Sequence, residues 1–188
     1  PAPTPTLTPF RIGIVAGHHG YDSGAVCSDG LTEAEVNLEI AGRVVSTLRR
    51  RGYVVDMLKE FDSRLNNYRA LALVSIHADS CEFINQEATG FKVARVLDSK
   101  VPEAEDRLVG CLQDRYAART GLHFHAASIT PDMTSYHGFY EIAPDTPAAI
   151  IEVGFLYRDR PLLTGQPDVV AQGIVEGIIC FLTTQRTP

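Results

Sequence analysis

Three apolar runs in this chain end in, or contain, side chains that a sheet interior does not want. His18 and His19 follow Ile12-Gly13-Ile14-Val15, His77 ends Leu71–Ile76, and Glu152 interrupts Ala148–Val153, the most apolar stretch of all. An ionised carboxylate in such surroundings costs several kcal/mol unless it is paired, metal-bound or protonated. Desolvation raises its pKa, which suits a general base or acid working near neutrality. The competing reading of Glu152 is a buried acid satisfied by an arginine or by backbone amides, and the strand-end histidines tilt the balance toward chemistry.

Type and placement together suggest a metal. Catalytic zinc takes three protein ligands, often His and Asp/Glu, and leaves a fourth position for water, whose pKa it lowers to roughly 7. His18 or His19, Glu33 and His77 would supply such a set, with Glu152 as the base beside it. No two of them have the i, i+4 spacing of a helical HExxH site, and spacing leaves the choice between His18 and His19 open. Weaker candidates are His123 and His125, which share a face if their segment is extended; His137, placed to line a cleft; and Asp79, placed to orient a ligand. Ser75, two residues before His77, is the one suggestive serine nucleophile, but no G-x-S-x-G elbow exists in the chain.

These side chains need strands and a helix to hold them. Ile12–Val15 reads as a buried strand ended by Gly17, with a glycine-rich loop (Gly20, Gly24, Gly30) leading to a helix. Thr32 and Glu35 have the S/T-x-x-E spacing of a capping box. Apolar Val36, Ile40, Val44 and Leu48 give that helix one core face, and Gly52 ends it. Glu35 therefore has a structural task, whereas Glu33 has none that the helix requires. Further strands are expected at 53–58, 71–76, 91–97, 138–142 and 148–153, and further helices at 102–119 and 167–182. Strands alternating with helices predict a three-layer α/β domain with a sheet of about six strands. In open α/β sheets, ligands bind in the crevice beyond the carboxyl ends of the strands, where the histidines stand.

Size and composition narrow the classes. The 188 residues suit one domain, residues 10–188, with 45 % apolar and 21 % charged content. Residues 1–9, PAPTPTLTP, contain four prolines and three threonines and read as a semi-extended linker. A net charge of −6 argues against nucleic acid and anionic membrane as main partners. No apolar run approaches the ~18 residues that span a bilayer. None of the four cysteines is spaced as CxxC, which disfavours a four-thiolate zinc site. Cys27 and Cys81 both lie next to presumptive site loops and can pair; Cys111 and Cys180 lie within amphipathic helices and read as buried free thiols.

The segments AGHHG…GLTEAEVNLEIA, LVSIHAD, ATGFKV and AAIIEVGFL occur in that order. Together they resemble the zinc-dependent N-acetylmuramoyl-L-alanine amidases of the type 3 family, from about Ile12 to Leu182. The resemblance implies an α/β/α sandwich around a largely parallel, mixed sheet. It implies one zinc ion on His18, Glu33 and His77, choosing His18 over His19, and places the catalytic base on Glu152. The implied substrate is peptidoglycan, cleaved between the lactyl group of N-acetylmuramic acid and L-alanine. The implied setting is the cell envelope or extracellular space, reached through an export signal upstream, with a monomeric catalytic domain not embedded in the membrane. Two departures stand out: His19 replaces the usual glycine after the first histidine, and the Arg-x-x-x-Ala-Asn pattern between the second and third strands is missing. A zinc peptidase acting on another amide, and a cell-wall binding module with a decayed site, are the alternatives.

Overall fold

The computed structural model describes residues 10–184; the Pro/Thr-rich linker at 1–9 lies outside them. The central strands are buried on both faces, and the strand pleat alternates the side to which successive residues point. On β1 (Arg11–Ala16), Ile12, Ile14 and Ala16 face one side of the sheet and Val15 the other. The same period of two divides β3 (Ala72–Asp79) and β5 (Ala148–Phe155), so Ser75 and His77 share a face, as do Ala148, Ile150 and Glu152. With β2 (Val54–Leu58) and the short β4 (Lys92–Ala94), the sheet order is β2-β1-β3-β5-β4. Neighbours are parallel except β4, which runs antiparallel to β5.

The two faces are covered very differently. Three long helices cover the first: α1 (Glu33–Arg50), α2 (Pro102–Thr120) and, after three short helices, α6 (Pro167–Thr184). The second face carries only one-turn pieces, among them α3 (Pro131–Thr134) and α4 (Gly138–Glu141), over Leu73, Ala148 and Ile150. A last short helix, α5 (Arg160–Gly165), joins β5 to α6. At the carboxyl ends of β1 and β3, His77 is buried and His18 is partly exposed.

Local signals explain most of these boundaries. Thr32 caps α1 and Glu35 closes the capping box, as its spacing predicts. Gly121, in the left-handed conformation, ends α2. The Tyr116 hydroxyl donates to the Val153 carbonyl at 2.7 Å and ties α2 to β5. Gly173 and Gly177 let α6 lie close on α2: a Cβ at Gly177 would stand 2.8 Å from the Leu112 Cα.

Three expectations need correction. The sheet has five strands among the described residues, because 138–142 forms α4 and its C-cap. Phe139 and Ile142, three apart, are both buried with Met133 and Tyr136, so helical spacing satisfies them better than alternation. Cys111 and Cys180 are not free; they form a disulfide across α2 and α6, while Cys27 pairs with Cys81, a pairing that the sequence left open. Helical spacing within each element cannot reveal which helix its cysteine will face. Finally, α6 is long and apolar enough by composition to cross a membrane, with mean hydropathy 1.3, although Asp168 and Glu176 interrupt its run. Here its apolar side, including Ile174, Ile178 and Phe181, is buried in the core.

Candidate metal centre and active site

The loop after β1 begins with a strained residue. His18 takes a left-handed backbone (φ 63°), uncommon for anything but glycine and frequent at functional sites. That turn directs its ring back toward α1. Its Nδ1 donates to Asp22 Oδ1 at 2.5 Å, and its Nε2 lies 3.3 Å from Glu33 Oε1. Glu33 occupies the first position of α1 and points into the sheet end. From the other side, His77 brings Nδ1 to 3.3 Å from the same Glu33 oxygen.

Glu33 is held as a carboxylate. Oε1 accepts from the Ala78 amide (3.1 Å) and Asn37 Nδ2 (3.2 Å), and Oε2 accepts from the Ala25 amide (3.1 Å). Burial alone would raise its pKa, but the bonds with His18 and His77 hold it well below the usual carboxylate range. The hydrogen bond to Glu33 in turn lifts His18 to about 9 against the opposing effect of burial. Two glycines make the room: a Cβ on Gly17 would fall 2.4 Å from the His77 ring, and one on Gly24 would fall 2.5 Å from Glu33 Oε2.

The three donor atoms lie within 4.8 Å of one another, and His18, Glu33 and His77 form the one such group of metal-ligating side chains among the described residues. Donors sharing a tetrahedral cation at ~2.0–2.1 Å stand about 3.3–3.4 Å apart. The two 3.3 Å separations to Glu33 Oε1 therefore fit a small divalent ion. Two imidazoles and one carboxylate with a preset second shell are a zinc-type donor set.

Glu152 sits directly across from His77 in the β3–β5 register, on the same face. Its Oε2 is buried without a hydrogen-bond partner. Burial pushes its pKa up to about 7, against the attraction of His77 and Lys92. Lys92, its cross-strand neighbour on β4, is itself buried and paired with Asp79. Asp79 thus serves Lys92 rather than a donor of the metal-ligating group.

The remaining candidates separate cleanly. His19 is absent from the donor group, although its carbonyl accepts from the Glu60 amide at 3.2 Å. His123 and His125 flank Phe124, which bridges Phe91 as a short extended piece. Ser75 is fully buried and donates to the Tyr136 hydroxyl at 3.1 Å, so it is not an exposed nucleophile. His137 does stand beside the site, through an acid that sequence reasoning missed. Buried Glu60 accepts from the His18 amide (2.6 Å) and from His137 Nε2 (2.7 Å), and lies 3.5 Å from His77 Nε2. Burial would raise Glu60, but His137 and the charge of His77 bring it down to about 2. Its position just past β2, at the carboxyl end of a parallel strand, was the available signal. Asn37 and Asp22 had no comparable signal.

The sequence profile of the N-acetylmuramoyl-L-alanine amidases matches residues 12–180. A germination-specific N-acetylmuramoyl-L-alanine amidase from Bacillus subtilis strain 168 is 30 % identical over 200 residues, covering 92 % of this chain and 79 % of that one. In fold, the chain is similar to the N-acetylmuramoyl-L-alanine amidase of Clostridium difficile 630 (TM-score 0.73, 21 % identity, 95 % of this chain and 99 % of that one). It is likewise similar to AmiC2 of Nostoc punctiforme (TM-score 0.70, 24 % identity, 93 % and 97 %).

Proposed function

This chain belongs to the N-acetylmuramoyl-L-alanine amidase family, and from that premise we propose that it cleaves its substrate at a zinc ion held by His18, Glu33 and His77, with Glu152 as the catalytic base. The reaction is hydrolysis of the amide between N-acetylmuramic acid and L-alanine in peptidoglycan. The carrying observation is the pair of 3.3 Å contacts that two imidazoles make to one preset carboxylate oxygen, with Glu152 in register beside them.

Zinc held by His18, Glu33 and His77 would supply a Lewis acid for the lactyl carbonyl and would lower the pKa of water. The protein's own groups do the rest. Asp22 fixes the His18 tautomer so that Nε2 faces the site. Asn37 and the Ala78 amide fix the Glu33 oxygen that both histidines approach. Glu152, with a carboxyl held near neutrality, takes a proton from the attacking water and returns it to the departing nitrogen of L-alanine.

The setting follows from the substrate: the enzyme acts at the cell envelope. Two disulfides and no free cysteine suit an oxidising compartment and support export. Residues 1–9 are proposed as a linker to the catalytic domain at 10–188, which acts as a monomer outside the membrane. The test is Glu152→Gln, which keeps shape but removes the base. It should retain about one zinc per chain, while release of N-terminal L-alanine peptides from purified peptidoglycan drops by at least about 100-fold. Turnover equal to the parent protein's would overturn the assignment.

A further inference from the structure

One feature outside the donor set is unusual for a protein surface. Tyr21 and Phe61 are 67 % and 52 % exposed, yet they touch, with ring centroids 4.4 Å apart at 63°. Phe61 is also stacked on His137 at 4.0 Å and 21°. Isolated apolar side chains on a surface need no explanation, but a contiguous, geometrically ordered aromatic patch marks a binding site.

Its location is fixed by the active site itself. Tyr21 lies in the same turn as His18, whose carbonyl accepts from the Tyr21 amide at 3.0 Å. Phe61 follows Glu60, which holds the His18 amide and His137. The patch is therefore the outer continuation of the wall that ends in His18 and His77.

Its surroundings carry both signs. The carboxylates Glu60, Glu141 and Asp22 are interleaved with His137, His18 and Lys59, whose stem packs against Gly20. Such a balanced rim offers donors and acceptors to hydroxyls without favouring an ion of either sign. The flat faces of Tyr21 and Phe61 complement the C–H faces of pyranose rings.

Building on the zinc-amidase reading above, we propose that Tyr21 and Phe61 form a saccharide subsite that seats the glycan strand adjoining the scissile bond. They are positioning residues for the sugar side of the substrate and take no part in bond cleavage. Phe61 is held rigid by His137, so the shelf is preorganised and little ordering is required on binding.

The test uses the whole chain with zinc and two defined substrates. One is the disaccharide GlcNAc–MurNAc carrying L-Ala-D-isoglutamine; the other is the sugar-free N-lactoyl-L-Ala-D-isoglutamine. Tyr21→Ala/Phe61→Ala should raise KM for the disaccharide substrate about tenfold with kcat within about twofold, and leave kcat/KM for the sugar-free substrate unchanged. Phe61→Trp should restore most of the affinity, and zinc content should equal the parent's. Equal losses on both substrates would overturn the proposal, because the shelf would then serve the peptide or merely support the loop. No loss on the disaccharide substrate would overturn it too.

Inhibition by the uncharged disaccharide GlcNAc–GlcNAc, which has no lactyl carboxylate to bind zinc, provides a readout that needs no turnover of the sugar-free compound. The parent should be inhibited and the double alanine variant about tenfold less so. Absence of inhibition in the parent, or equal inhibition in both, also overturns the subsite. Failure of the zinc reading would be seen separately, as undiminished turnover in Glu152→Gln.

Discussion

The molecule contains two cross-links of the same chemistry in two different settings. Cys27–Cys81 joins the loop that carries Glu33 to the segment just past His77, at the carboxyl end of the sheet. Cys111–Cys180 staples α2 to α6, on the helix-covered face. Their sequence separations are 54 and 69 residues. In the chain-entropy account, closing loops of those lengths stabilises the fold by about 4 kcal/mol in either case. The unfolded chain hardly distinguishes them. What differs is the native side: one link restrains a strained backbone around buried charges, the other reinforces packing that apolar contacts already specify.

Replacing each pair with alanines is the largest way to break the comparison. Both double variants should lose up to about 4 kcal/mol in urea unfolding. Only Cys27→Ala/Cys81→Ala should also weaken zinc retention and lower kcat/KM of the folded fraction. If Cys111→Ala/Cys180→Ala lost activity per folded molecule to the same degree, the distinction between the two regions would collapse.

A smaller change sharpens the loop side. Asp22→Asn keeps a partner near His18 Nδ1 but removes the charge, and should lower zinc affinity about 10–100-fold in a chelator competition. Thermal unfolding of the zinc-free protein should barely move, since Asp22 is exposed. Smaller still is the counterpart on the helix face. Gly177→Ala forces a methyl against the Leu112 backbone and should cost about 1–3 kcal/mol. Activity per folded molecule should stay at the parent level; a drop in kcat there would mean that the helix face communicates with the site.

The same division explains what could be read in advance. The capping box at Thr32 and Glu35 depends on four consecutive residues, so the sequence separated the structural Glu35 from the free Glu33. The period of two in β3 and β5 put His77 and Glu152 on defined faces, and the order of the four family motifs chose His18 over His19. The α4 segment misled because Gly138–Ile142 is short enough to satisfy both alternation and helical spacing.

Sequence by itself thus determined most of the elements and their buried faces, and it nominated the candidate donors, because patterning and capping rest on interactions spanning a few positions. Only the tertiary structure decided that β1 and β3 lie side by side with α1 packed on them, which makes His18, Glu33 and His77 converge, and that β5 follows β3, which sets Glu152 opposite His77. It alone paired Cys111 with Cys180 and brought Glu60 to His137 across 77 positions. Such contacts depend on the order in which strands enter the sheet and on how closely helices can approach. No local spacing encodes either.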